Sequence, residues 1–471
     1  MKKIAKILLI AMLFSLFTTA CGSAEQEVFD VDFSVSTEGI DLEGANIVYK
    51  VYVPSNYDVN NQILGYELDT IFADMAKQRL DDVEKNLNCT IELLSGNNAS
   101  EYMTAAVSGT FISDAAMCET GPLVQAARVG MLIGLSELGD YIDYTNEAKW
   151  GYRNMLEIIA YEDDVFGLTP LLWPELSVYV RDPIVVNEDL ITALGETDPR
   201  EYIENKQWTW DVFEDCLGRY YVEEGGEVKH YSLTSDAGIF GSMFVFSNGS
   251  TFVEKNDKGE YVSGLYTEEA RKAMQRGIEI FNGPNAHTIC KQSYDAITDN
   301  LINGKTVLGP LRSYEIIGLR GRIAREMTNF GLLSWPHGPD VEPGYVFAYY
   351  SNIHNCIAFS RSTQQPEATA MAISALYEPF EEYPNMESVI DFLTKTYFFD
   401  RQDAEIYSGM YTNSYYMYFN EGMSGFLNGW IGSNKSVSEH LESYEDTVAT
   451  CIEKYAAPAM RGLEAVYGDA E

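Results

Sequence analysis

The pattern of hydrophobic and polar positions changes its period several times in the first third of the chain. Residues 47–53 alternate and are β-branched, which predicts a strand, and apolar residues at helical spacing over 68–87 predict a helix. A strand over 90–94, a helix over 99–108 and a short buried strand over 114–118 follow. This order predicts parallel strands joined by right-handed crossovers, with a ligand site at the carboxyl ends of the strands.

Further elements are predicted later in the chain. Residues 163–180 form an extended, proline-containing passage with a hairpin-like turn at Asp163-Asp164, and residues 254–260 predict a second hairpin. The second segment resembles a calcium loop, but Lys258 stands where an oxygen ligand is needed. Helices are predicted over 123–130, over 150–160 and after Trp210. Two more are predicted over 267–281, where Thr267 begins the helix, and over 366–377, where Pro366 takes a favoured first-turn position.

Length and charge narrow the class of protein. The chain has 471 residues with 46% hydrophobic content, which is too long for one core and is typical of two large lobes or of two to three domains. The net charge of −39 argues against nucleic acid and against anionic ligands drawn in by long-range attraction. It also repels the protein from anionic membrane surfaces.

The amino terminus reads as a lipoprotein signal over residues 1–20. Lys2, Lys3 and Lys6 precede an apolar run that is too short to span a bilayer, and small residues then lead into Cys21. An acylated Cys21 anchors the mature chain to the extracytoplasmic face of the cell membrane, and residues 21–44 form a flexible acidic tether. The alternative is an ordinary secretory signal with Cys21 incidental.

No motif points to catalysis, to a metal or to a cofactor. The sequence has no H-E-x-x-H, no P-loop and no G-x-S-x-G. The six other cysteines are widely spaced without a C-x-x-C, so they indicate neither a zinc site nor a compact disulfide framework, and their disulfide state stays open: Cys89, Cys118, Cys216, Cys290, Cys356 and Cys451.

The order of local motifs resembles the extracellular solute-binding proteins of ABC importers, the sugar and oligosaccharide binders in particular. QWTWDVFEDCL at 207–217 is similar to the family's P-x-T-W helix start, which implies Thr209 as the N-cap and Trp210 as the first helical residue. NCIAFSRSTQQPEATAMAISAL at 355–376 resembles the family's late strand and alanine-rich helix. The chain departs from the family at Arg181, where Asn is common, and in lacking the proline before Trp210. The other matching passages are 113–138, 163–182, 303–311 and 331–339.

The resemblance implies an α/β, periplasmic-binding-protein-like fold: two α/β lobes joined by a multi-strand hinge, with an interlobe cleft. The implied N-terminal lobe comprises 45–170 and 338–385, and the C-terminal lobe comprises 171–337 and 386–471. Hinge crossings are expected near 169–178, 334–338 and 379–384.

The resemblance implies a monomeric receptor, not an enzyme, that passes a carbohydrate to ABC permease subunits and meets the membrane only through its lipid. One alternative is a surface hydrolase that acts on glycans with two carboxylates. The other alternative is a binder of a non-sugar solute such as a peptide.

Sugar sites need flat aromatic platforms and planar polar groups. The candidate platforms share a position in a crossing, in a strand-end loop or late in the chain, with core packing as the alternative for each: Tyr57, Trp173, Trp335, Tyr349, Tyr350 and Trp430. The candidates for orienting hydroxyls, with surface solvation as the alternative, are Glu175, Arg181, Asn248 and Asn352.

Overall fold

The structure is a computed structural model. It describes residues 39–52, 60–96, 104–105, 108–175, 180–289, 293–317, 321–346, 348–350, 355–398, 400–410, 414–416, 418, 421–431 and 435–468.

The described residues form a mixed α/β structure. The strands are β1 Ala45–Tyr52, β2 Gln62–Ile63, β3 Tyr66–Glu67, β4 Cys89–Gly96, β5 Ala115–Glu119, β6 Ala160–Tyr161, β7 Asp164–Val165, β8 Val180–Arg181, β9 Ile184–Asn187, β10 Val222–Glu224, β11 Glu227–Thr234, β12 Glu254–Lys255, β13 Tyr261–Val262, β14 Thr288–Ile289, β15 Thr306–Pro310, β16 Phe330–Leu333, β17 Ala348–Tyr350, β18 Asn355–Phe359 and β19 Ser414–Tyr416.

The α-helices are α1 Ile71–Leu87, α2 Thr120–Arg128, α3 Glu147–Trp150, α4 Glu188–Leu194, α5 Pro199–Glu204, α6 Trp210–Tyr220, α7 Ala237–Phe246, α8 Glu268–Phe281, α9 Tyr294–Ile302, α10 Ser313–Ile316, α11 Arg322–Glu326, α12 Pro366–Leu376, α13 Met386–Leu393, α14 Arg401–Gly409, α15 Ser424–Gly429, α16 Val437–Cys451 and α17 Ala457–Tyr467. Two π-helical turns, Thr394–Phe398 and Ile452–Ala456, follow α13 and α16.

The first sheet has the strand order β18-β5-β1-β4. β1 pairs in parallel with both β4 and β5, which confirms the predicted parallel pairing, and β18 joins the edge antiparallel to β5. Because β4 and β5 lie on opposite sides of β1, the carboxyl end of β1 is the point where the strand order reverses. In open α/β sheets this is the position at which ligands bind.

The second sheet has the order β10-β11-β15-β9-β16, with β14 paired to β11. β11 is parallel to β15 and to β14, whereas β9 runs antiparallel to both β15 and β16. The carboxyl ends of β11 and β15 therefore lie at the same edge of this sheet.

Two hydrophobic clusters surround these sheets. The first holds β1 and β5 with residues of α1, α2 and α12 and includes Trp150 and Trp173. The second holds β9 and β15 with residues of α6, α7, α8 and α16 and includes Trp210, Trp335 and Trp430. We refer to the two sheets with their clusters as the first lobe and the second lobe.

Three passages of the chain pair with one another in a small third sheet of order β19-β17-β8. Along the chain, β8 follows Trp173 of the first cluster and precedes β9 of the second sheet. β17 follows β16 of the second sheet and precedes β18 of the first. The crossing strands are thus held together by backbone hydrogen bonds, which fits the multi-strand hinge that the sequence predicts.

Helix α17 is the carboxyl-terminal connection between the lobes. It contacts β6 and β7, where Glu162 N donates to Pro458 O at 2.7 Å, and Leu463 belongs to the first cluster. Its first residue, Ala457, belongs to the second cluster. The predicted lobe boundaries stay a prediction, and the end of α17 contacts both lobes, because Leu463 packs in the first cluster while Glu464 accepts from Tyr261 and Lys255 beside the second.

Several predicted elements are confirmed at their capping residues. Thr209 accepts a hydrogen bond from Val212 N at the start of α6, and Thr267 accepts one from Ala270 N at the start of α8. Pro366 begins α12, and β12 pairs with β13 as the predicted hairpin. The two threonine side chains satisfy free helix N–H groups, which is why these helix starts can be predicted from the sequence.

Two helix predictions were wrong in their extent. α1 starts at Ile71 rather than at 68, because Thr70 caps it and Leu68 remains exposed. Residues 150–160 do not form one α-helix. Gly151 has a φ of 92°, which ends α3, and the chain continues in short 3₁₀ turns at Arg153–Met155 and Glu157–Ile159.

Candidate ligand-binding site

The carboxyl edge of the second sheet carries a cluster of aromatic and charged side chains. We call it the Asp182 cluster, and it comprises Asp182, Tyr294, Arg312, Tyr314 and Glu315. Asp182 precedes β9, Arg312 follows β15, and the two segments are joined because Asp182 N donates to Leu311 O at 3.1 Å. Tyr294 opens α9, which packs on β15.

Stacking and hydrogen bonds fix the geometry of the Asp182 cluster. The Arg312 guanidinium carbon lies 3.8 Å from the ring centroid of Tyr294 and 5.2 Å from that of Tyr314. The Tyr294 hydroxyl donates to Asp182 Oδ1 at 2.7 Å, and the Tyr314 hydroxyl accepts from Arg312. The cluster therefore offers a planar cation on an aromatic face, beside a carboxylate.

Burial controls the charge state of this edge. It raises the pKa of Glu315 to about 7, although the nearby Arg312 charge lowers it. Arg312 Nε is buried and has no hydrogen-bond partner among the described residues. Arg312 as a whole is only partly buried, as are the tyrosine rings beside it, so its guanidinium presents planar donors of the kind that bind the hydroxyl groups of a ligand.

Three predicted site residues come together in the backbone of the third sheet. Arg181 on β8 pairs with Tyr349 on β17, and Tyr350 pairs with Val180 and with Tyr416. For Arg181, Tyr349 and Tyr350 the structure describes the backbone, and their contact with a ligand stays a prediction. Tyr57, Asn352 and the lipidation site Cys21 lie outside the described residues.

Trp173 is a buried part of the first lobe. Its ring centroid lies 4.7 Å from that of Tyr377 and 4.6 Å from that of Phe380, and its Nε1 donates to Glu378 O at 3.1 Å. Tyr66 stacks on it at 5.9 Å. The buried surroundings account for this ring, and a ligand contact stays a prediction.

Trp335 and Trp430 are buried in the second lobe. Trp335 is buried, and its Nε1 donates to Asp182 O at 2.6 Å. This hydrogen bond holds the backbone of the Asp182 cluster in place. Trp430 lies against two helix glycines: a Cβ at Gly241 would come within 2.7 Å of its ring, and one at Gly277 within 2.9 Å. Both rings are placed by packing, and their contact with a ligand is untested.

Asn248 and Glu175 lie away from the Asp182 cluster. Asn248 is buried and donates to Glu269 O at 3.1 Å and to Asp340 Oδ2 at 2.8 Å, which fixes the loop before Asp340. Glu175 is exposed with a φ of 65° and accepts a hydrogen bond from the Tyr397 hydroxyl. These contacts are structural, and the predicted binding role of each residue remains open.

The sequence interpretation did not find the Asp182 cluster. Asp182, Tyr294 and Arg312 are far apart in the sequence. The arrangement of β9, α9 and β15 brings them to one edge of the sheet. The available signal was the polar and aromatic segment Arg312-Ser313-Tyr314-Glu315 shortly after the apolar residues Val307 and Leu308, which the structure places in β15. Tyr57 is a candidate on the same ground, because it too follows a strand.

No group of His, Cys, Asp and Glu among the described residues is arranged to hold a metal ion. Within the same part of the chain, none of the helices has the length and apolar character that a membrane crossing requires. The described cysteines are all buried free thiols: Cys89, Cys118, Cys216, Cys356 and Cys451.

Several solved structures that share this fold are of sugar-binding proteins. The cyclic α-maltosyl-1,6-maltose binding protein from Arthrobacter globiformis superposes with a TM-score of 0.62 at 13% identity, over 87% of this chain and 99% of that one. The fold is that of a periplasmic-type solute-binding protein. The sugar-binding protein MalE from Xanthomonas citri gives a TM-score of 0.59 at 12% identity, over 86% of this chain and 98% of that one.

A third solute-binding protein, the maltotriose binding protein from Thermus thermophilus in its maltotriose complex, gives a TM-score of 0.54 at 13% identity, over 86% of this chain and 100% of that one. No protein-family model and no curated protein matches the sequence. The solute-binding-protein fold comprises two α/β lobes with a cleft between them, as the sequence predicted.

Proposed function

We propose that the protein captures a carbohydrate between its two lobes and delivers it to an ABC-type permease. The observation that carries the proposal is the Asp182 cluster at the carboxyl edge of the second sheet, in a fold that the oligosaccharide-binding proteins share over nearly their whole length. In such folds the ligand contacts both lobes only when they close, and this difference in contacts drives closure.

The chemistry of the Asp182 cluster suits a neutral, hydroxyl-rich ligand. Sugars present apolar C–H faces to aromatic rings and hydroxyls to planar donors and acceptors. The partly buried tyrosines supply faces and Arg312 supplies donors, while the buried Asp182 holds the Tyr294 hydroxyl in place. The net charge of −39 also disfavours capture of an anionic solute.

The site of action in this proposal is the extracytoplasmic face of the cell membrane. Its support is the apolar leader that ends at Cys21, whose acylation would hold the receptor beside its permease. The receptor acts as a monomer in this scheme, because one copy contains both lobes.

A thermal-shift screen tests the proposal. Maltotriose, maltotetraose and cyclic maltosyl-maltose are added to the purified mature chain, and a ligand at a hundredfold excess over its Kd stabilises the fold by about 2.7 kcal/mol. Arg312→Gln is expected to reduce the shift strongly. Arg322→Gln is the matched control, because Arg322 lies in the same lobe in exposed ion pairs with Asp299 and Glu326.

Analysis of the same mixtures separates binding from hydrolysis. A receptor retains the intact oligosaccharide in a one-to-one ratio, whereas a glycan hydrolase releases shorter products over time. Stabilisation by peptides but by none of the sugars would contradict the carbohydrate assignment, and turnover of the sugars would contradict the binding assignment.

A further inference from the structure

A surface groove of about 630 Å³ lies in the second lobe, away from the Asp182 cluster. One wall is formed by β13 and the turn Gly264–Tyr266, and the other by α16, the π turn and the start of α17. Val448, Ile452 and Ala457 form its apolar floor. This volume is within the range of pockets that hold small organic ligands.

The sequence builds the floor of this groove through a proline. Pro458 has no N–H and its ring disfavours the carbonyl oxygen four residues earlier in a regular α-helix. The π turn Ile452–Ala456 lies directly before α17. This π turn widens the helix at the groove. Such π turns occur frequently at functional sites.

Two tyrosines that line the groove are held by their hydroxyls. Tyr261 donates to Glu464 Oε2 at 2.6 Å, and Tyr266 donates to Leu441 O at 3.1 Å. Because both hydroxyls are bonded to the protein, the rings themselves are what remains for a ligand. Lys255 Nζ lies 5.4 Å from the Tyr261 ring centroid, so this ring already faces one cation of the protein.

The charge of the rim is negative. Glu445 and Glu453 are exposed, line the groove and have no hydrogen bond or ion pair with any described residue. Glu445 lies close enough to Tyr266 to add to the rise of its pKa, which burial causes first. Arg461, which also lines the groove, pairs with Glu162 at 2.9 Å, and Lys255 pairs with Glu464 at 2.8 Å. Arg271 donates to the Tyr266 carbonyl at 3.4 Å.

We propose that this groove is a second ligand site that takes a small amphipathic organic cation, with its aromatic or alkyl body on the tyrosines and the apolar floor and its ammonium group between Glu445 and Glu453. The two parts of the ligand match the two parts of the groove, apolar inside and anionic at the rim. The site goes beyond the carbohydrate function, and neither depends on the other.

Calorimetric titration with three probes of one shape tests this proposal. Phenethylammonium, phenethyl alcohol and phenylacetate share a ring and differ in charge, so the groove is expected to bind the cation at least tenfold more tightly than the alcohol and to reject the anion. A preference of less than threefold for the cation overturns the proposal.

Substitutions at exposed positions test whether the cation binds in this groove. Ala449→Arg places a bulky cation in the groove and is expected to abolish binding, whereas Thr450→Arg, on the same helix outside the lining residues, leaves it intact. The double variant Glu445→Gln, Glu453→Gln is expected to lose the preference for the cation, with Glu442→Gln as control. Circular dichroism confirms folding, and cation binding that survives Ala449→Arg contradicts the assigned place.

Discussion

Tyr418 donates a hydrogen bond of 2.6 Å to Glu157 Oε1, and this bond joins the second cluster to a turn between the lobes. Ile158, next to Glu157, also packs in the second cluster. Burial raises the pKa of Glu157 to about 7, although the hydrogen bond from Tyr418 lowers it. A buried carboxyl group with a raised pKa favours the folded state while it stays protonated.

The raised pKa of Glu157 predicts that stability falls as the pH rises. The folded state keeps a proton that the unfolded chain releases near pH 4.5, so the contribution is complete below 4.5 and is lost as pH rises through about 7. The loss amounts to roughly 3 kcal/mol. Urea unfolding between these pH values measures it.

Glu157→Gln is the matched variant, because an amide oxygen still accepts from Tyr418 and does not ionise. It is expected to flatten the pH dependence of the free energy of unfolding. Tyr418→Phe removes the donor that favours the carboxylate and is expected to extend the loss to higher pH. Equal slopes in the wild type and Glu157→Gln would show that Glu157 does not control this dependence.

Arg200 predicts a second stability effect. It is buried and donates to Asp403 Oδ2 at 2.8 Å and to Asp198 Oδ2 at 2.7 Å, and Asp403 Oδ1 accepts from Leu332 N. Arg200→Met leaves the fully buried Asp403 without its cation, which costs about 3–5 kcal/mol in the free energy of unfolding. Chemical denaturation measures the difference.

Arg401→Gln is the control for Arg200, because Arg401 makes comparable ion pairs with Glu387, Asp391 and Glu405 on the exposed surface. Exposed pairs contribute about 0–1 kcal/mol each, so a small effect is expected. Similar losses at both arginines would mean that burial of the Arg200 network does not set its contribution.

The contact of Trp430 with Gly241 predicts a packing effect. A methyl group at Gly241 would lie 2.7 Å from the indole, so Gly241→Ala is expected to destabilise the second lobe by about 1–3 kcal/mol. At Gly409 nothing lies within 4 Å of the added methyl group. Gly409→Ala is therefore expected to be neutral or slightly stabilising, and thermal unfolding of both variants makes the comparison.

The lipoprotein signal predicts the location of the protein in cells. Cys21→Ser removes the acylation site and is expected to release the protein from the membrane fraction or to leave it unprocessed. Fractionation and mass measurement of the mature amino terminus report the result. An unmodified Cys21 in the native protein would favour the ordinary secretory signal.

Local order along the chain predicted much of the fold. The parallel pairing of β1, β4 and β5 followed from alternating strand and helix patterns. Thr267 and Pro366 marked helix starts through local chemistry, whereas Thr209 followed from the resemblance to the family. The failure over 150–160 came from Gly151, whose positive φ ended the helix despite a helical apolar pattern.

Tertiary contacts decided what the sequence could not. The third sheet joins strands of two and three residues from distant passages, which are too short for a periodic signal. The sequence alone does not distinguish a tryptophan that packs in the core from one that faces a cleft. Contacts with Gly241 and Gly277, which lie on two other helices, show that Trp430 packs in the core.

Closure of the two lobes on a sugar is the central claim, and small-angle X-ray scattering tests it most directly. The radius of gyration of the mature chain is measured alone and with each of maltotriose, maltotetraose and cyclic maltosyl-maltose at saturation. We expect at least one sugar to decrease it in the wild type and in Arg322→Gln but not in Arg312→Gln. An unchanged radius of gyration with every sugar, or an equal decrease in Arg312→Gln, would contradict the account.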